Sequence, residues 1–171
     1  MKQSQVFYLE MCSPDELNAV TDNKGMVILE AQVPDFQLNR HLYQAVGAAW
    51  QWKDKLSMTD EEWQEYANDP NLRTYVGYVK GTIAGYYELQ MQDGGDVEIR
   101  YFGLTPDFIG KGLGGFLLSQ ALRSAWELPN TKRVWVHTCD MDHPGALSNY
   151  KARGMRHYKT ETETLSEAYH E

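Results

Sequence analysis

The stretch TPDFIGKGLGGFLLSQAL, residues 105–122, decides how this chain is read. Four glycines, Gly110, Gly112, Gly114 and Gly115, fall within six positions. Glycine loses more backbone freedom on folding than any other residue, so such density implies a need for bare backbone. Just beyond, Leu113, Phe116, Leu117 and Ala121 recur at a spacing that gives a helix one core-facing stripe. The pattern predicts a helix over 111–126, entered through a glycine loop.

Phosphate-binding loops of three kinds compete for these glycines. A Walker A loop needs Lys followed by Ser or Thr, but Lys111 is followed by Gly112. Gly110, Gly112 and Gly115 satisfy the G-x-G-x-x-G spacing of a dinucleotide loop. Such a loop should leave its strand at once, whereas TPDFI intervenes here. The third kind is a pyrophosphate cradle at a helix N-terminus, where free N–H groups and the positive dipole end favour an anion. A ligand-free glycine turn stands as the plain alternative.

The surrounding chain supplies a mixed pattern. QVFYLEM (5–11) and GMVILEAQV (25–33) read as strands. Leu42, Ala45, Val46 and Ala49 give 39–52 a helical period, and 57–68 starts like a capped helix at Ser57 or Thr59. Residues 72–92 read as a hairpin around KGT, 93–96 as a turn and VEIRYFGL (97–104) as the strand before the loop. RVWVHTC (133–139) is a strand, HPGALSNYKARG (143–154) a short helix with Pro144 near its start, and 155–165 a closing strand. Side chains alternate along a strand, which predicts that Glu98, Arg100 and Phe102 share a face.

Composition bounds the function. A chain of 171 residues with 42% apolar and 23% charged residues suits a single domain, 1–171. Its net charge of -8 argues against a nucleic-acid surface and suits a cationic substrate. Neither a membrane-length apolar run nor a signal-type N-terminus is apparent, so the expectation is a cytoplasmic protein without a membrane partner. Cys12 and Cys139 form no disulfide framework and read as buried small hydrophobes. No His, Cys and carboxylate cluster has ligand spacing, so no metal is expected.

The order of strand VEIRYFGL, then TP, IGKGLGG and an apolar helix resembles motif A of the GNAT superfamily of acyl-CoA-dependent N-acyltransferases. Gly112 and Gly114 fall on the small positions of that motif, and Ile109 stands where Arg or Gln is usual. Downstream, HPGALSNYKARGM resembles motif B through Ala146, Tyr150 and Gly154, with His143 for Asn and Met155 for Phe. The resemblance covers 72–165 well, and the first 70 residues only in element order.

It implies an α+β fold: a mixed, mostly antiparallel sheet flanked by helices, with a splayed parallel pair formed by 97–104 and 133–139. It implies acetyl-CoA as cosubstrate. The diphosphate would lie on Ile109, Gly110, Lys111, Gly112, Leu113 and Gly114, and the pantetheine arm against Phe102, Gly103 and Leu104, with His143 at the mouth. Tyr150 takes the place of the motif B tyrosine, whose role is general acid, and Glu98 stands where several members carry a catalytic glutamate.

Acyl transfer to an amine needs a base for the ammonium and a proton donor for the leaving thiolate. Tyr150 fits the donor, or is a core tyrosine; Glu98 fits the base, or simply pairs with Arg100. His143 and His137 are further titratable candidates. The first helices should shape the acceptor site, where Asp60, Glu61, Glu62 and Glu65 would offer a negative rim to a small-molecule or peptide amine. Trp50, Trp52, Trp63 and Tyr66 suit core packing, an aromatic wall or a homodimer surface. A non-catalytic acyl-CoA-binding or regulatory module on the same fold is the alternative function.

Overall fold

The computed structural model describes residues 3–50, 52 and 55–164. Gln51 and Leu165, at the ends of two expected segments, lie outside the described residues. The strands are β1 (Gln3–Met11), β2 (Met26–Glu30), β3 (Leu72–Val79), β4 (Thr82–Met91), β5 (Asp96–Leu104), β6 (Arg133–Cys139) and β7 (Arg156–Thr164). The helices are α1 (Phe36–Gly47), α2 (Asp60–Asn68), α3 (Gly114–Glu127) and α4 (Ala146–Ala152). One seven-stranded sheet runs β2-β3-β4-β5-β6-β1-β7. Every neighbouring pair is antiparallel except β5 and β6. The expected mixed sheet with one parallel pair is therefore the observed one.

Local chemistry explains the element ends. Lys80 and Gly81 both take positive φ, 51° and 82°, the backbone that closes a two-residue hairpin between β3 and β4. Asp35 caps α1 by accepting from Gln37 N–H, so this helix starts earlier than its apolar period suggests. Thr59 and Glu62 form a reciprocal capping box on α2. The helix after the glycines begins at Gly114 rather than 111, because Gly110 and Gly112 sit at φ 82° and 77° and cannot join a right-handed helix.

Two apolar layers flank the sheet. On one face α3 buries Phe116, Leu117, Leu118, Ala121, Leu122 and Ala125 against Leu9, Ile99, Val134 and Val136. Each of the larger side chains contributes about 1.5–3 kcal/mol by leaving water, and each alanine less. On the other face α1 lays Leu42 and Val46 on Val76 and Tyr86. Cys12 is exposed and Cys139 half-buried, which corrects the expectation of two buried thiols.

A bulge in β5 corrects the expected alternation. Glu88 pairs with Tyr101 and Leu89 with Ile99, so Arg100 is an extra residue on the β5 side. Beyond it the faces exchange. Tyr101 joins the α1 layer, while Phe102 joins the α3 layer with its ring 6.1 Å from that of Tyr150. Phe102 therefore lies on the face opposite Glu98.

Candidate active site

The parallel pairing of β5 and β6 is short. Asp96 meets Arg133, Val97 meets Val134 and Glu98 meets Trp135, and the ladder stops there while both strands continue. Residues 99–104 of β5 thus keep one edge unpaired by β6, and backbone N–H and C=O groups on that edge require partners from elsewhere. Two cavities open along the gap.

The first cavity, about 220 Å³, is lined by Phe102, Gly103, Leu104, Ile109, Gly110, Gly112, Leu113, Gly114, His143 and Tyr150, among others. Apart from Tyr150, expected as the general acid, these are residues the sequence assigns to one ligand, and the fold brings them together. Lys111 is the exception: it does not line the cavity, and its ammonium lies 5.4 Å from the Phe108 ring centroid. Leu113 occupies the N-cap of α3 and supplies no capping side chain. The first turn therefore offers its N–H groups and positive dipole end to an anion. A β-carbon on Gly114 would meet Asn149 Nδ2 at 3.6 Å and Leu104 at 3.9 Å, ordinary van der Waals contact that a methyl could make without a clash. Gly115 differs, since its β-carbon would press on Arg153 Nη1 at 2.7 Å and Val20 Cγ2 at 3.0 Å. Asn149 ties α4 to the loop by donating from Nδ2 to the Gly114 carbonyl at 3.1 Å.

The second cavity, about 280 Å³, carries Glu98, Arg100, Tyr101, Trp52, His137 and Glu163 on its walls. Trp50, Phe102, Asp142 and Tyr150 line both cavities. Glu98 is buried, and its Oε1 accepts from Gln92 Nε2 at 3.0 Å and Arg100 Nη1 at 3.4 Å. His137 Nε2 approaches Oε2 at 3.6 Å. Asp142 accepts from Thr138 Oγ1 at 2.9 Å and Trp52 Nε1 at 3.4 Å, which fixes its carboxylate between the cavities. Burial, and then the charge of Asp142, push the Tyr150 phenol well above the ordinary tyrosine range. Among the described residues its hydroxyl makes no hydrogen bond. His143 Nδ1 accepts from Gly145 N–H at 2.8 Å, and its ring meets Trp50 edge-on at 5.1 Å. This turn replaces the first part of the expected helix at 143.

The model of the acetyltransferase (GNAT) family matches residues 31–155. This chain belongs to the GNAT acetyltransferase family. Its fold is similar to a GCN5-related N-acetyltransferase from Kribbella flavida, at TM-score 0.64 and 15% identity over 95% of this chain and 56% of that one. A GCN5-related N-acetyltransferase from Sphaerobacter thermophilus gives TM-score 0.68 and 19% identity over 94% and 50%. An aminoglycoside acetyltransferase from an uncultured soil metagenomic sample, in complex with trehalose, gives 0.62 and 18% over 77% and 88%. The chain thus spans about half the length of the first two. No curated protein matches the sequence.

One expectation about this GNAT domain changes, and one open alternative narrows. The acids of α2 do not border the gap: among the described residues, none of α2 lines either cavity there. Asp60 pairs with Arg40, Glu62 closes the capping box, and Glu61 and Glu65 face a separate open depression. Trp63 and Tyr66 are also engaged elsewhere. They enclose the ammonium of Lys55, which lies 2.7 Å from the Tyr66 ring centroid and 5.3 Å from that of Trp63. Beneath them buried Glu88 accepts from Asn39 Nδ2 at 2.7 Å and from the Tyr66 hydroxyl, and burial raises both the Glu88 and Tyr66 pKa values. The acids that do face the gap are Glu98, Asp142 and Glu163. Asp142 is marked by nothing in its local sequence, whereas Trp50 and Trp52, two of the four aromatics that suited a wall, do line the gap. A larger cavity of about 420 Å³ beside Glu30, Asn39 and Arg73 contains neither the loop nor the gap.

No helix among the described residues is long and apolar enough to cross a membrane. No group of three His, Cys, Asp or Glu among them could hold a metal ion.

Proposed function

We propose that this chain is an N-acetyltransferase that moves an acetyl group from acetyl-CoA to a primary amine by direct attack. One observation carries the reading. The glycine-loop cavity and the carboxylate-lined cavity meet at Tyr150, within the gap left by β5 and β6. A donor and an acceptor can thus approach from opposite sides.

Acetyl-CoA supplies the acyl thioester. The N–H groups of the loop and the first turn of α3 bind its diphosphate, and the unpaired edge of β5 at Phe102, Gly103 and Leu104 receives the pantetheine amides. Glu98 takes the proton from the ammonium of the acceptor, directly or through water, because only the neutral amine is a nucleophile. Tyr150 donates to the leaving sulfur. Its raised pKa keeps it protonated and ready to donate, though it also makes complete transfer harder. Trp50, Trp52 and Tyr101 provide aromatic faces, and Glu98, Asp142 and Glu163 outnumber Arg100 on the acceptor side, which favours a small cationic amine, free or peptide-borne. The name of the soil metagenomic neighbour gives it an acceptor of that kind, an aminoglycoside.

The test is thiol release from acetyl-CoA in the presence of an amine panel. Release that depends on a cationic amine, with acetylated product found by mass spectrometry, is the expected result. Acetyl-CoA binding without turnover on any amine would leave a non-catalytic acyl-CoA-binding module.

A further inference from the structure

We infer that Lys24 supplies the positive charge that the glycine loop lacks, and that its ammonium binds the diphosphate of acetyl-CoA; the inference rests on the acetyl-CoA reading above. The loop's own side chains leave that charge missing. Ile109 is apolar, and Lys111 turns its ammonium over Phe108.

Lys24 comes from a distant part of the chain yet lies along the loop. A β-carbon on Gly112 would sit 3.0 Å from Nζ of Lys24, 3.2 Å from Cε and 3.6 Å from Cδ. The lysine stem therefore covers one face of Gly112 and brings the ammonium to the rim of the loop; Lys24, like Lys111, does not line the cavity itself. Gly112 thus has a second reason to be glycine: any side chain there would displace Lys24.

The placement is built into the fold. Residues leading to Lys24 are pinned onto the two helices of the site. Asn18 N–H donates to the Arg153 carbonyl and Asn18 Nδ2 to the Ala152 carbonyl, both at 2.9 Å. Val20 N–H donates to Ser119 Oγ at 2.8 Å, and Leu17 and Val20 pack on the core. Asp22 then accepts from Lys24 N–H at 3.1 Å and Asn23 from Gly25 N–H at 3.0 Å. Within this turn Lys24 itself takes φ 49°, a backbone that few residues other than glycine adopt. Its side chain is exposed, and among the described residues it forms no ion pair. In a chain with 24 acids and 16 Lys and Arg, an unpaired ammonium beside an uncapped helix N-terminus adds to the positive potential that an anion meets there. A lysine binds phosphate well as a point charge.

Calorimetry on Lys24→Gln tests this with three probes: acetyl-CoA, its 3′-dephospho form, and S-acetylpantetheine, which has no diphosphate. Lys24→Gln should weaken acetyl-CoA and the dephospho form alike by roughly tenfold, the scale of a charge-assisted hydrogen bond. S-acetylpantetheine affinity should not move, Lys24→Arg should recover most of the loss, and the salt dependence of binding should flatten in Lys24→Gln. Unchanged acetyl-CoA affinity would overturn the inference. A loss seen with acetyl-CoA but absent with the dephospho form would overturn it too, by placing Lys24 on the 3′-phosphate. Failure of the folded wild-type chain to bind acetyl-CoA at all would sink the acetyl-CoA reading itself, which is a different result.

Discussion

Nε2 of His137 lies 3.6 Å from Oε2 of Glu98, across the point where β5 and β6 stop pairing. The Glu98 side chain is 4% exposed, whereas that of His137 is 50% exposed. A buried carboxylate is costly unless donors compensate it, and Gln92, Arg100 and His137 surround this one. The same arrangement joins a buried carboxylate to a ring that reaches solvent. That combination suits a group that must take a proton from an amine and then release it.

Glu98→Gln keeps the shape and removes the proton acceptor. Turnover should fall by roughly 10²–10⁴-fold, the usual scale for acid–base catalysis. The KM for acetyl-CoA should change little, because Glu98 does not line the loop cavity. Steady-state kinetics decide it: full turnover would leave Glu98 as a structural partner of Arg100.

Tyr150→Phe keeps the ring against Phe102 and deletes the donor. The kcat should fall by roughly 10²–10⁴-fold with little effect on acetyl-CoA affinity. Burial and Asp142 raise the phenol pKa, so the protonated, donating form is complete at every pH below about 10. The pH profile of kcat/KM should therefore keep its shape in Tyr150→Phe while dropping in height. The raised pKa also has a stability consequence. Its contribution is fully present below about pH 10 and is lost as pH rises beyond that, so alkaline melting should be less steep in the variant. A profile whose midpoints move with the substitution would count against this assignment.

Much of this site was legible because its parts are local. The glycine loop, the α3 stripe and the Tyr150 helix each fit within one short run of sequence, and backbone geometry does the rest. What escaped depends on contacts between distant runs. The bulge at Arg100 arises from register against β4, so period-two alternation sent Phe102 to the wrong face. The acids of α2 looked like a cleft rim, yet they serve a cap, an ion pair and solvent. Lys24 reaches Gly112 only through the fold, and no spacing rule could connect them.

Gly154 illustrates a motif residue that serves packing. Its φ is 107°, and a β-carbon there would drive into the carbonyl oxygen of Glu16. Gly154→Ala should cost roughly 2–5 kcal/mol from backbone strain and overpacking together. The corresponding fall in Tm is roughly 5–15 °C. Gly81→Ala is the control: φ is 82° there, but a β-carbon would meet nothing within 4 Å. It should cost only about 1–2 kcal/mol. Equal losses in the two variants, measured by thermal melting, would show that the Glu16 contact relaxes freely.

The acceptor's charge can be read from two acidic surfaces that behave differently. Glu163 lines the acceptor cavity, whereas Glu61 borders a depression on α2 and Glu62 caps that helix. If the acceptor arrives as a cation, Glu163→Gln should lower kcat/KM for it by roughly twofold to fivefold at low salt. Glu61→Gln with Glu62→Gln should leave it unchanged apart from a small loss of helix stability. Salt should erase the Glu163 effect once the screening length falls to about 8–10 Å, because this residue is exposed. The KM for acetyl-CoA should follow none of these changes, since Glu163 lies outside the loop cavity. An acceptor whose kcat/KM ignores both salt and Glu163→Gln is not recognised by charge at this rim. The aromatic faces of Trp50, Trp52 and Tyr101 would then have to select it by shape, and a neutral amine of equal size should react as fast.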